Sequence, residues 1–180
     1  MRFSYITKDN EKIKDFYNFY KQYFPIEERD TLSTMKKLAI NSAKISEWDY
    51  AIIEITDKEN KVGGLIYDWF PEIHTLIIEF IFVAEEYRHH KVAKRLVERF
   101  KNKMPDVTII VETEKNGEAR KFWKKLGFLT QHYNYSQPAL HKNQERFAGL
   151  ILMSNKKIKN LKNIIENYYW KYAFLNISNS

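Results

Sequence analysis

The sequence predicts a mixed α/β (α+β) protein forming one domain over residues 1–180, on three observations. Apolar residues recur at helical spacing near both ends, short strand-forming runs crowd the middle, and strand and helix signals alternate after Leu76. A chain of 180 residues, 44% hydrophobic and 29% charged, also has the composition of a soluble protein with a substantial core.

In chain order, Ser4 to Ile6 reads as a short first strand. Ile13, Phe16, Tyr17, Tyr20 and Phe24 then mark a helix closed by Pro25. Leu32, Met35, Leu38 and Ala39 form the inner face of a second helix. Tyr50 to Ile55 and Val62 to Trp69 are strand formers flanking the polar turn Asp57, Lys58, Glu59, Asn60, and so predict a hairpin. Leu76 to Val83 is apolar except near Glu79, as expected of a central strand buried on both faces. Val92, Leu96, Val97 and Phe100 stripe a helix that must stop before Pro105. Val107 to Val111 is the next strand, Asn116 opens a helix that ends at Leu126 and Gly127, and Phe128 starts a further strand. After a polar and aromatic stretch containing Pro138 come a strand at Gly149 to Met153 and a closing amphipathic helix within 155–176, carried by Ile158, Leu161, Ile165, Tyr168 and Tyr172.

The chain has no cysteine, which excludes disulfides, thiolate metal ligands and a cysteine nucleophile, and accords with a cytoplasmic location. No long apolar run follows Met1 and Arg2, so neither a signal peptide nor a membrane span is expected. His89 and His90 are adjacent and the other histidines scattered, so no metal site is expected either. The net charge of +7 is uneven: Tyr87 to Lys103 carries seven Lys or Arg against the single acid Glu98. Such a segment serves a polyanionic small cofactor as readily as a nucleic acid; without a nucleic-acid recognition motif, no nucleic-acid partner is expected.

The basic segment begins where a strand gives way to a helix, through Val83, Ala84, Glu85, Glu86, Tyr87, Arg88, His89, His90, Lys91, Val92, Ala93. Such a junction aims free backbone N–H groups at one point, which suits a pyrophosphate. Arg88, Lys91 and Ala93 resemble the cofactor loop of the GNAT acyltransferases: Arg or Gln, two variable residues, Gly, one variable residue, then Gly or Ala. Lys91 departs from the pattern at the Gly. An amide there with helical φ and ψ still donates, so the site is expected to survive with altered geometry. A second segment, from Asn116 through Ala119, Phe122 and Trp123 to Gly127 and Phe128, is similar to the family's other hallmark and follows one helix and one strand later, as the family requires.

The resemblance implies a central, mostly antiparallel mixed sheet of six to seven strands flanked by helices, splayed beside the strand Leu76 to Val83. It implies acetyl-CoA as cofactor. Ile81, Phe82 and Val83 would take the pantetheine arm on unpaired backbone groups, and Arg88, His89, His90, Lys91, Val92, Ala93 and Lys94 the pyrophosphate. Asn116 would hydrogen-bond the arm or cap its helix, beside Ala119 and Trp123. Glu79 matches the position of a catalytic Glu in many members. Acetyl transfer needs a neutral amine, and an alkylamine of pKa ~10.4 is neutral in only about one molecule in a few thousand at neutral pH. A carboxylate of ordinary pKa ~4.3 must therefore act through water or be raised by burial. Trp123 stands where the family often has a Tyr that protonates the leaving thiolate; indole is not a usable acid, so Tyr133 or Tyr135 is the substitute candidate, with packing as the alternative role. The acceptor pocket would be built from Pro25 to Thr31 and Tyr133 to Phe147. There Glu27, Glu28 and Asp30 would attract a cationic amine, and Tyr133, Tyr135 and His141 would line its apolar part.

The expected activity is acetyl transfer to a primary amine of a small molecule, by an enzyme that is a monomer or homodimer. A non-catalytic acyl-CoA-binding module and a protein (lysine or N-terminal amine) acetyltransferase are the alternatives.

Overall fold

The structure, a computed structural model, describes residues 1–139 and 149–174. Its sheet has seven strands: β1 (Arg2–Tyr5), β2 (Asp49–Asp57), β3 (Asn60–Phe70), β4 (Thr75–Val83), β5 (Thr108–Glu114), β6 (Leu129–Thr130) and β7 (Leu150–Ser154). They lie in the order β1-β2-β3-β4-β5-β7-β6. Only β4 and β5 run parallel; every other neighbouring pair is antiparallel.

Helices α1 (Asn10–Tyr20) and α2 (Leu32–Ser42) cover one face, with the closing segment, here α5, made of Leu161–Ile164, a π-helical turn Ile165–Tyr169, and Trp170–Ala173. Helices α3 (Val92–Lys103) and α4 (Glu118–Lys125) cover the other. The alternation of strand side chains separates two cores: Ile66, Ile77 and Ile110 pack toward α1, α2 and α5, while Leu65, Leu76, Ile78 and Ile109 pack toward α3 and α4. That double cover is why Leu76 to Val83 reads as one nearly unbroken apolar run.

Local chemistry fixes the helix starts. The Asp9 side chain accepts from the Glu11 and Lys12 amides at 3.1 and 3.0 Å, and Thr31 accepts from the Thr34 amide at 3.0 Å. On β3, Gly63 lets the carbonyl of Phe82 come close, since a Cβ there would lie 2.3 Å from that oxygen. Gly64 leaves room for the Phe16 and Phe82 rings, which would lie 2.4 and 2.8 Å from its Cβ. The strand that borders the site is thus drawn tightly against β3 and α1.

Two expectations need correction, and one expected strand is short. α4 starts at Glu118 with Gly117 as its N-cap residue and no side-chain cap, so Asn116 does not cap it. The closing helix begins at Leu161 rather than near 155, and its middle is a π turn that the periodicity of Ile158, Leu161, Ile165, Tyr168 and Tyr172 did not reveal. The strand after Phe128 is only two residues long, at the sheet edge.

Candidate active site

Pairing between β4 and β5 runs from Thr75 opposite Thr108 to Ile78 opposite Val111 and then stops. Beyond it β4 stays paired with β3 and β5 with β7, so the two strands part like a fork. Glu79 and Glu112 are the first residues beyond the last pair, one on each arm. The register of β4 against β3 also shifts here: Ile66 faces Phe80 and Tyr67 faces Ile78, leaving Glu79 as the extra residue of a bulge. A bulge re-aims its side chain and frees its backbone from the ladder.

At the end of β4 a short 3₁₀ turn, Glu85–Tyr87, leads to α3. The amides of Arg88 and His90 are engaged by the carbonyls of Glu85 and Tyr87, at 3.1 and 3.3 Å. Those of His89, Lys91, Val92, Ala93 and Lys94 have no protein acceptor among the described residues, a row of donors at a helix N-terminus. Lys91 does not take the helical φ and ψ expected of it; it lies in the left-handed region at φ 58°, ψ 25°, and His89 has φ 69°. A left-handed backbone is what glycine adopts without penalty, and here the loop keeps that shape with a lysine.

Between loop and fork runs a groove lined by Ile81, Phe82 and Val83 of β4, Arg88, His89 and Ala93 of the loop and α3, and Ala119, Phe122 and Trp123 of α4. Its polar side carries Arg88, Lys121 and Lys125 against the one acid Glu118, which pairs with Lys121 at 2.5 Å, so the wall is net positive. On the other side of the fork is a cleft lined by Glu27, Glu28, Asp30, Glu79, Glu112 and Glu114, with Phe24, Phe80, Leu150 and Phe174 as apolar walls. Phe24 borders both cavities, so groove and cleft adjoin along β4 at Glu79 to Ile81.

Of these acids Asp30 is buried and Glu79 and Glu112 half-buried, while Glu27, Glu28 and Glu114 are exposed. Burial, then the nearby Asp68, Asp30 and Glu112 charges, holds the Glu79 carboxyl well above the usual range. Asp68, on β3 and fully buried, accepts from Trp48 Nε1 at 2.6 Å; burial raises it to about 7 against that hydrogen bond and a further one with Glu79. The two carboxyls hydrogen-bond each other and both are held above the usual range, so the pair favours a shared proton. Glu112 accepts from the Tyr135 hydroxyl and, at 3.2 Å, from Gln137 Nε2; burial raises it to about 8, opposed by a hydrogen bond from Tyr169.

Residues 13–128 match the acetyltransferase (GNAT) family, more than half of the chain. The chain belongs to the GNAT family. Its fold resembles a protein from Bacteroides thetaiotaomicron described as a GNAT acetyltransferase, 20% identical, with 100% of each chain covered and a TM-score of 0.75. It also resembles smu.2055 from Streptococcus mutans UA159, at 22% identity, 86% of this chain, 98% of that one and a TM-score of 0.60. A spermidine N-acetyltransferase chimera from Vibrio cholerae and hSSAT is 12% identical over 86% of this chain and 94% of its own, with a TM-score of 0.60. At these identities the likeness is one of fold. No curated protein sequence matches the chain.

Against the GNAT pattern, the structure brings Glu79, Ile81, Phe82, Val83, Arg88, His89, Ala93, Ala119 and Trp123 around the fork and groove, with the free amides of Lys91, Val92 and Lys94 at its loop end. Asn116 is exposed and does not line the groove, and the side chains of His90 and Lys91 border a separate surface hollow with Met1 and Asp57. Trp123 is buried against Phe122 and Phe128. Tyr135 is spent on Glu112, and Tyr133 donates to Glu166 at 3.2 Å, so neither hydroxyl lies in the groove. His141 lies outside the described residues. Sequence reasoning missed Asp68, Glu112, Gln137 and Tyr169.

Proposed function

We propose that the protein is an acetyl-CoA-dependent N-acetyltransferase that acts on a primary amine of a small molecule, and that it works in the cytoplasm. The observation that carries this reading is the meeting of a positive groove and an acidic cleft at Glu79. Acetyl-CoA, when bound, supplies an activated acetyl thioester. Arg88 and the amides from Lys91 to Lys94 would hold its diphosphate, and the open edge of Ile81 to Val83 would hold the pantetheine arm. The unused amides and open strand edge fit such a ligand. The acidic cleft would receive the ammonium. In the fraction that has lost its own proton, Glu79 is the group within reach to take that of the ammonium, and its raised pKa narrows the gap of about six units that an ordinary carboxylate would face. The amine nitrogen would then attack the acetyl carbon, the carbon–sulfur bond would break, and the second proton that the nitrogen sheds as the amide forms would pass through water to the thiolate, because Trp123 is no acid and Tyr135 is engaged elsewhere.

Thiol release from acetyl-CoA with a panel of amines, and mass spectrometry of the product, tests the activity. Glu79→Gln should abolish turnover and keep cofactor affinity. Arg88→Ala with Lys91→Ala should weaken acetyl-CoA binding much more than binding of a pantetheine fragment. The buried Trp123 favours one second reading, a module that holds acyl-CoA without turnover. Tight cofactor binding with no thiol release for any amine would select it.

A further inference from the structure

We propose that Phe24 sets the length of the acyl group: its ring walls the groove off from the cleft, so that the cofactor is accepted with an acetyl group and rejected with a butyryl or longer one. This rests on the acetyltransferase reading and adds to it a residue that selects the donor. The ring belongs to the segment between α1 and α2, not to the strand and loop that would hold the cofactor. It is half-buried and borders both cavities.

Alternation along β4 makes the partition. Past the bulge, Phe80 lies opposite Ile66 and Phe82 opposite Gly64, so the two rings share one face of the strand. Phe80 lines the cleft and Phe82 the groove. Phe24 stands edge-on to both, its centroid 5.0 Å from that of Phe80 at an interplanar angle of 72° and 5.9 Å from that of Phe82 at 89°. The fully buried Tyr20 ring packs against it at 5.1 Å. Aromatic pairs of this kind add roughly 0.5–1.5 kcal/mol each beyond burial, and together they hold the ring across the boundary.

The backbone that carries the ring is tied down as well. Arg29 Nη1 donates to the carbonyls of Lys21 and Phe24 at 2.7 Å each, and the Asp30 amide donates to the Tyr20 hydroxyl at 3.2 Å. Pro25, with its fixed φ, follows directly. Swinging the ring aside would therefore break charge-assisted hydrogen bonds as well as ring contacts. With the diphosphate at the loop and the pantetheine arm along Val83 to Ile81, the thioester end would lie toward Phe80. Atoms added to the acyl chain would then meet the Phe24 ring and, beyond it, the cleft that would receive the amine.

The test is a ladder of calorimetric affinities of the full chain for free CoA, acetyl-CoA, butyryl-CoA and hexanoyl-CoA, with kcat/KM for the same thioesters and one amine as a second reading. One methylene in a fitted apolar site is worth about 10–200-fold, so the wild type should bind butyryl-CoA at least about tenfold more weakly than acetyl-CoA. Phe24→Ala removes the wall and should bring the two within about threefold of each other. In that variant butyryl-CoA, but not acetyl-CoA, should raise the KM for the amine, because the longer chain enters the amine's cleft. Phe24→Leu keeps apolar bulk and should fall between; it decides the matter if melting shows that the alanine variant does not fold. Equal wild-type affinity for acetyl-CoA and butyryl-CoA, or a gap that the folded variants retain, would overturn the inference and leave the acetyltransferase reading standing. CoA binding without thiol release to any amine would remove the catalytic reading, and the affinity ladder would still decide the inference. No binding of free CoA or of any thioester would overturn both.

Discussion

Glu112 gives a pH dependence of stability whose sign and size follow from its surroundings. Burial lifts its carboxyl to about 8, against the opposing hydrogen bond from Tyr169. The folded protein therefore keeps a proton that the unfolded chain has released. Between the ordinary carboxylate range and about 8 the native state binds more protons, so this group's contribution falls as pH rises through that window and is flat outside it. At about 1.4 kcal/mol per pH unit the full window corresponds to roughly 5 kcal/mol, and structural relaxation and water entry should leave about 2 kcal/mol. Asp68, raised to about 7, and Glu79 add in the same direction. For a chain of this size the Tm should drop by about 4–8 °C between pH 5 and pH 8 from Glu112 alone. Glu112→Gln keeps an acceptor for the Tyr135 hydroxyl and removes the titration. It also loses the bond from Gln137, a cost of about 1 kcal/mol that does not depend on pH. Calorimetric melting across that range should show the variant with a lower Tm at pH 5 and a shallower decline. A wild-type Tm that climbs from pH 5 to pH 8, or a variant with an unchanged slope, would refute the reasoning.

Lys91→Gly should relieve the left-handed backbone, worth about 1–2 kcal/mol, but lose up to about 1 kcal/mol to the freer unfolded chain, so a small rise in Tm is expected from scanning calorimetry. Gly63→Ala would press a Cβ to 2.3 Å from the Phe82 carbonyl oxygen; β3 and β4 must then move apart, and the urea midpoint should report a loss of about 3 kcal/mol or more. Trp48→Phe removes the indole donor to the buried Asp68 and should cost about 1–3 kcal/mol in urea unfolding at pH 8, shrinking below about pH 7 as Asp68 takes up a proton.

Much of this molecule was legible in its sequence because strand and helix periods are hydrophobic patterns. The hairpin of β2 and β3, the central β4 and the stripe of α3 all sit where apolar spacing puts them. The site was only half legible. Glu79 drew attention as a lone acid in an apolar strand, yet Asp68 between Tyr67 and Trp69, and Glu112 between Val111 and Thr113, carry the same signal. An acid inside an alternating strand usually faces water, and only the parting of β4 from β5 makes this location dry. Tyr169 falls outside the stripe of Ile158, Leu161, Ile165, Tyr168 and Tyr172, and the π turn that contains it cannot be read from spacing. The loop motif located Lys91, but composition says nothing of handedness, so its left-handed backbone emerged only with the structure.

The fork keeps two of these acids apart. Had β4 and β5 continued their parallel pairing past Ile78 and Val111, Glu79 and Glu112 would stand beside each other, and like charges side by side across strands are destabilising. Parting moves them onto separate arms, and the bulge at Glu79 absorbs the change of register against β3. The backbone edge so exposed on Ile81 to Val83 is an unpaired strand, a liability in a protein that leaves it bare and a binding surface in one that fills it with an extended ligand. The parting of the two strands thus yields both halves of the site: an open edge on the groove side, and on the cleft side buried acids that hold their protons. The two halves should be energetically linked, since anything that closes the fork removes the open edge and forces the acids together.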